Sequence, residues 1–227
     1  MDKKTYSLIE NYMLSCMKDS AHDREHVYRV LFTALDIAHT EEGVDFDVLI
    51  TACLLHDIAR KEQNENPSLC HARLGAEKAA EFLKENGFSA DFISKVRHCI
   101  SAHRFRGDNV PESLEAKILF DSDKIDATGT LGIARTLVYN GAHGEMLYTL
   151  DKNGLPSDGK DDAEPSFFQE YRFKLENVYS KIMTKRGREI AENRRKTAVS
   201  FYNNMLFEVR EPYKKGRELL DGFLNEG

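Results

Sequence analysis

Apolar residues recur at intervals of three and four along almost the whole chain, and nowhere do they alternate for more than a few residues. That period belongs to helices with one buried stripe, and its use throughout points to an all-α fold. Val27, Val30, Leu31, Ala34, Leu35 and Ala38 form one stripe over residues 24–39. Asp45 or Asp47 can cap a second helix through Leu49, Ala52, Leu55 and Ala59. KEQNENPSL, with Pro67, reads as a loop. A third helix spans 71–85 and stops at Gly87. Ser89 caps a fourth, with Phe92, Val96, Ile100 and His103 on one face. After the loop RFRGDNVPES comes one long helical stretch over 114–139. It is apolar on more than one side and is expected to be central, with Gly129 and Gly132 marking a bend or a close contact. Residues 151–165, DKNGLPSDGKDDAEP, read as a mobile surface loop within one domain of 1–227. It is not a domain linker, because Phe168, Tyr171, Leu175, Val178 and Ile182 beyond it still need a surface to pack on. A last helix over about 188–209 carries Ile190, Ala198, Phe201 and Met205. The C-terminal helices, about 166–210, are expected to pack on the core.

Composition removes several function classes. The chain has 227 residues, 41% of them hydrophobic, enough for a substantial core. No apolar run approaches the ~20 residues that span a bilayer, so no membrane partner is expected. MDKKTYSLIEN lacks the basic-then-apolar pattern of a signal peptide, so a cytoplasmic protein is expected. With 32 basic against 38 acidic residues the formal net charge is −6, which disfavours a nucleic-acid partner. Cys16, Cys53, Cys70 and Cys99 form no CxxC pair, which argues against a thiolate zinc site; those in apolar helical patterns read as small buried hydrophobes.

The polar residues in apolar surroundings are more telling. His26 opens the first amphipathic helix, His56 and Asp57 sit together in CLLHDIAR, and Asp121 and Asp123 sit in ILFDSDKID. A carboxylate among leucines and isoleucines is costly unless it is paired or binds a cation. Any one of these alone reads as a paired or capping residue. Taken as an ordered set with histidines at hand, they suggest a divalent transition metal that holds the charges together. Mixed His/carboxylate ligation suits manganese, iron, nickel or zinc better than calcium.

The order His26, His56-Asp57, Asp123 resembles the H…HD…D signature of the HD-domain metal-dependent phosphohydrolases. AHDREHVYRV, LLHDI, HCISAH, DSDKIDATGTLGIARTLVYNG and FKLENVYSKIMTKRGREIAENRRKTAVSFY are similar, in the same order, to one bacterial branch of that superfamily, over about residues 21–209. The resemblance implies a helical bundle with a metal-site core over about 20–140 and with His26, His56, Asp57 and Asp123 as ligands. Asp121 is then expected to orient a histidine or a water, and Asp126 to be a similar or purely structural neighbour. His22 matches the family's AHD entry as a structural or supporting residue. Some branches hold two metals bridged by the aspartate of the HD pair. By that likeness Asp57 would bridge, with His71 and His103 on the second ion; His71 reads equally as a helix N-terminal residue lining the cavity. This chain departs from the branch after the HD pair, where Arg60 and Lys61 stand in place of acidic residues, and at Lys124, often arginine there.

The activity implied is hydrolysis of a phosphomonoester or pyrophosphate in a small phosphorylated substrate, a nucleotide first. Asp57 would hold the metal and accept the proton of the attacking water, while Arg60, Lys61, Arg104 and Lys124 would meet phosphate. Two other readings stand beside it: an HD-fold di-iron oxygenase and a non-catalytic nucleotide-binding regulator.

Overall fold

A computed structural model describes residues 1–17, 24–105 and 109–225. His22 lies outside them. The described residues form helices and turns, with two isolated β-bridges, Met146 with Ser166 and Leu150 with Pro156. None of their helices is long and apolar enough to cross a membrane. The chain divides into two compact units, Met1–Asp126 with Ile182–Arg188, and Ala127–Lys181 with Glu189–Gly227.

In the first unit, α1 (Lys3–Cys16) is capped by Asp2, which accepts from Thr5 N at 2.7 Å, and buries Ile9 and Met13. α2 (Arg24–Ala38) buries the stripe read from the sequence except Leu35, which is half-buried, and adds Ile37. Asp45 caps α3 (Phe46–Leu55), accepting from Val48 N at 3.2 Å. α3 is buried around its circumference, at Val48, Leu49 and every residue from Thr51 to Leu55, because α1, α2, α6 (Ala90–Ala102) and α7 (Leu114–Asp126) all pack on it. The two residues just past its last turn, His56 and Asp57, are therefore delivered deep inside the unit.

The segment expected as a loop after this pair is partly helical: α4 covers Arg60–Glu65. Its six residues bury no side chain, so no apolar period announces it. Tertiary anchors hold it instead, with Lys78 Nζ reaching Glu62 Oε1 at 2.5 Å and Ile58 O at 3.3 Å. α5 (His71–Glu85) and α6 (Ala90–Ala102, capped by Ser89) pack along one another and complete the core. The buried Asp121 carboxylate accepts from Met183 N (2.8 Å), Thr184 N (2.6 Å) and Thr184 Oγ1 (2.6 Å), which ties Ile182–Arg188 into this unit.

In the second unit, α8 (Gly129–Ala142), α9 (Phe167–Glu170), a π-helical turn (Tyr171–Leu175), a 3-10 turn (Val178–Lys181) and most of α10 (Lys185–Asn225) gather around Ile133, Phe167, Phe168, Tyr171, Leu175, Ala198 and Tyr202. The rings of Tyr171 and Tyr202 stack at 4.1 Å. The single helix expected over 114–139 is two helices. Gly129, at φ +66, breaks it in a conformation that a side chain disfavours, and a Cβ there would lie 2.9 Å from Arg194 Cβ. Residues 151–165 contain no helix and are fastened to α10: Arg210 Nε donates to Pro156 O at 2.9 Å, Arg217 Nη1 to Asn153 O at 2.7 Å, and Tyr202 Oη to Asp158 O.

Candidate metal centre

Five elements of the first unit converge on one buried cluster. α2 supplies His26, the end of α3 supplies His56 and Asp57, the first residue of α5 is His71, the end of α6 supplies His103, and α7 supplies Asp123. His56 and His103 use the same local device. Each sits just past the last residue of its helix, where backbone carbonyls lack partners. Nδ1 of His56 lies 2.7 Å from Cys53 O, and Nδ1 of His103 lies 2.6 Å from Ile100 O. A carbonyl can only accept, so Nδ1 carries the proton and Nε2 turns a bare lone pair into the cluster.

A carboxylate fixes the Nδ1 proton of His26 in the same way. Its Nδ1 is 2.7 Å from Asp126 Oδ2, and Asp126 is held from the other side by Arg29, Nε to Oδ1 at 2.7 Å and Nη2 to Oδ2 at 3.1 Å. The partner of a histidine is thus Asp126. Asp121, expected in that role, is one turn away and spends its oxygens on Met183 and Thr184. The spacing of Asp123 and Asp126, three residues apart on one helix, is the signal that the two act at one place.

The donor atoms fall into two groups, His26, His56 and Asp123, and Asp57, His71 and His103. In the first, His26 Nε2 is 3.4 Å from His56 Nε2 and 3.4 Å from Asp123 Oδ1. In the second, His71 Nε2 is 3.2 Å from His103 Nε2 and 3.2 Å from Asp57 Oδ1. Two atoms that share a transition ion at about 2.1 Å lie about 3.0–3.4 Å apart at octahedral or tetrahedral angles, and these four spacings fit that range. Asp57 joins the groups. Its Oδ2 faces His26 and His56 at 3.7 and 3.8 Å, while its Oδ1 faces His71 and His103 at 3.2 and 3.8 Å. Both oxygens are buried and neither has a hydrogen-bond partner. A fully buried carboxylate in that condition is costly unless a cation meets it. The cluster fits a divalent metal, and its N/O donors, without thiolate, suit a transition ion. Cys53 and Cys99 are buried elsewhere in the core as free thiols, with burial raising both.

Electrostatics agree with readiness for a cation. Burial keeps His56, His71 and His103 below the ordinary histidine range, so they are neutral donors at pH 7. Burial also opposes charge on His26, but the Asp123 and Asp126 carboxylates prevail and raise it to about 9. Burial alone would raise Asp57 and Asp123. The groups around them outweigh it, His56 and Arg60 beside Asp57 and Lys124 beside Asp123, and hold both well below the ordinary range.

Three of the four expected phosphate-binding cations lie at the cluster. Arg60 Nε is 3.4 Å from Asp57 Oδ2, and its Nη1 is 3.1 Å from His71 Nδ1. Arg104 Nη1 is 3.5 Å from the same nitrogen. Lys124 Nζ pairs with Asp123 Oδ2 at 2.6 Å and approaches His103 O at 3.4 Å. Lys61 is half-buried on α4; burial works to raise Glu62, and Lys78 with a smaller contribution from Lys61 outweighs it and lowers that carboxyl. Gln63, which nothing in the sequence singled out, presents Oε1 to His71 Nδ1.

An all-helical unit that buries two linked groups of histidine and aspartate fits a metal centre. The description "HD domain" matches residues 24–128, the stretch that contains the whole cluster. The chain is 30% identical to a "predicted HD superfamily hydrolase" from an uncultured Thermotogales bacterium, over 88% of this chain and 90% of that one, with a TM-score of 0.60. It is 28% identical to the uncharacterized protein YpgQ of Bacillus subtilis, over 87% of this chain and 90% of YpgQ. A crystal structure of YpgQ in complex with ADP superposes with a TM-score of 0.70, at 25% identity, over 92% of this chain and 96% of that one. This chain belongs to the HD-domain superfamily.

Proposed function

We propose that this protein is a metal-dependent phosphohydrolase that holds two divalent ions and cleaves a phosphomonoester or pyrophosphate bond in a small phosphorylated substrate, a nucleotide first. The observation that carries the reading is Asp57, whose buried oxygens, without a hydrogen bond and with the cation of Arg60 beside them, face two different pairs of histidines. His26, His56 and Asp123 would hold one ion, His71 and His103 the other, and Asp57 both. Such ions supply a water of lowered pKa and polarise a phosphoryl oxygen.

The chain's own residues then bind and orient. Four neutral imidazoles and two carboxylates leave two positive charges on a pair of divalent ions, which attracts an anion. Arg60 and Arg104, with Lys124 on the opposite group, add cationic donors around the same cluster, and Lys61 extends that charge along α4. A well-placed donor of this kind stabilises a transition state by about 3–4 kcal/mol. When a single ion is present, the remaining oxygen of Asp57 is the acceptor for the proton of the attacking water. ADP in YpgQ supports a nucleotide as the class of ligand.

The test is metal analysis of the purified protein, followed by a phosphate-release screen over nucleoside mono-, di- and triphosphates with manganese, iron, nickel and zinc. About two ions per chain and phosphate or pyrophosphate release are expected. A second reading is favoured by the same six donors, which also suit a di-iron oxygenase. A mixed-valence di-iron signal with oxygen consumption, and no phosphate release, selects that reading.

A further inference from the structure

His71 is the least constrained donor of the cluster, because its Nδ1 meets no backbone carbonyl of its own helix. Groups of two opposite kinds compete for that nitrogen. Gln63 Oε1 can only accept from it, whereas Arg60 Nη1, at 3.1 Å, and Arg104 Nη1, at 3.5 Å, can only donate to it. The two demand opposite tautomers. With the proton on Nδ1, Nε2 offers a lone pair to the space shared with Asp57 and His103. With the proton on Nε2, which Asp57 Oδ1 at 3.2 Å can accept, that lone pair is not offered to an ion. The carboxamide orientation is fixed independently, since Arg104 Nη1 donates to Gln63 Oε1 at 3.4 Å and so places the oxygen, not the amide nitrogen, against His71.

We infer that Gln63 is a positioning residue that selects the ligating tautomer of His71 and so sets the affinity of the second ion. α4 makes this possible: its single turn puts Arg60 and Gln63, three residues apart, on one face toward His71. Gln63 does for His71 what Asp126 does for His26 and what the Cys53 and Ile100 carbonyls do for His56 and His103. The same oxygen holds Arg104, so the second ion and an anion-binding cation share one anchor. The inference rests on the two-ion reading proposed above.

Manganese titrations of the wild type, Gln63→Leu and Gln63→Glu, read as ions bound per chain and as the two dissociation constants, test it. Gln63→Leu removes the acceptor at similar bulk and is expected to keep the first ion at wild-type affinity while weakening the second about 10–100-fold. Gln63→Glu retains an acceptor oxygen and is expected to bind both. ¹⁵N spectra of the metal-free proteins add a readout that simple packing would not move, with the Nδ1–H tautomer of His71 depleted in Gln63→Leu and restored in Gln63→Glu. Unchanged second-ion binding in Gln63→Leu overturns the inference, as does loss of both ions or failure of the glutamate to restore the second. A wild type that takes up one ion overturns the two-ion reading itself, and with it this inference, before any variant is compared.

Discussion

His26 and Asp126 stand one hundred positions apart and meet at 2.7 Å, Nδ1 to Oδ2, inside the helical core. The contact does two jobs. It fixes which nitrogen of His26 faces Asp57 and Asp123, and it gives the buried Asp126 a partner beyond the Arg29 fork. A carboxylate behind a metal-ligating imidazole raises the basicity of that imidazole and holds its ring still.

Asp126→Ala is therefore expected to weaken the ion held by His26, His56 and Asp123 about 10–100-fold while leaving His71 and His103 able to bind theirs. Competitive metal titration separates the two. Equal weakening of both ions would show that Asp126 supports the helix α7 as a whole and not His26.

The pH behaviour of His26 is set by the same neighbours. In the metal-free protein it is raised to about 9, because Asp123 and Asp126 outweigh burial. A folded-state value above the unfolded one, about 6.5, contributes stability that is fully present below 6.5 and is lost as pH rises through about 9. Metal binding must also expel that proton. NMR titration of metal-free protein is expected to show His26 protonated at pH 7, with His56, His71 and His103 neutral. Calorimetry at pH 7 in buffers of different ionisation enthalpy is expected to show about one proton released with the first ion. No buffer dependence would contradict the assignment.

Much of the first unit was legible because burial writes a period into the sequence, as in Val27, Val30, Leu31 and Ala34 on α2, and because Ser89 and Asp45 mark helix starts with their own side chains. The features that were not legible depend on contacts far apart in sequence. α4 buries nothing and is held by Lys78, so Gln63 looked like a loop residue. The roles of Asp121 and Asp126 turn on which neighbour each faces, Thr184 or His26, and two aspartates on one helix do not reveal that from their spacing alone. The helix break at Gly129 needed the nearby Arg194 to explain it, since a glycine inside an apolar pattern is compatible with an unbroken helix.

Asp57→Ala removes the one group shared by both donor sets, yet it deletes a side chain that makes no hydrogen bond. The expected outcome is a helical protein by circular dichroism with no metal-dependent stabilisation and no turnover. For the wild type, metal at about 100 times its dissociation constant is expected to add about 2.7 kcal/mol of stability, seen as a rise in Tm. A comparable rise in Asp57→Ala would show that the ions sit elsewhere.

Lys124 tests how the substrate is read. Its ammonium pairs with Asp123 Oδ2 at 2.6 Å and lies 5.1 Å over the Phe120 ring, so it is already beside one donor group and is still partly open to solvent. An ammonium is a point charge without the fork geometry of arginine, so its attraction to an anion follows charge more than shape. Lys124→Met keeps the aliphatic stem and removes the charge. It is expected to lower kcat/KM at least tenfold, equivalent to about 1.4 kcal/mol, with a larger loss for nucleoside triphosphates than for monophosphates because each added phosphate adds charge. The change also frees Asp123 Oδ2, so the metal content of the variant must be measured beside the kinetics. Loss of metal with the same fractional loss of rate on every substrate would make Lys124 a positioning residue for Asp123. Full metal with wild-type kinetics on mono- and triphosphates alike would remove it from phosphate recognition, and the oxygenase reading would gain.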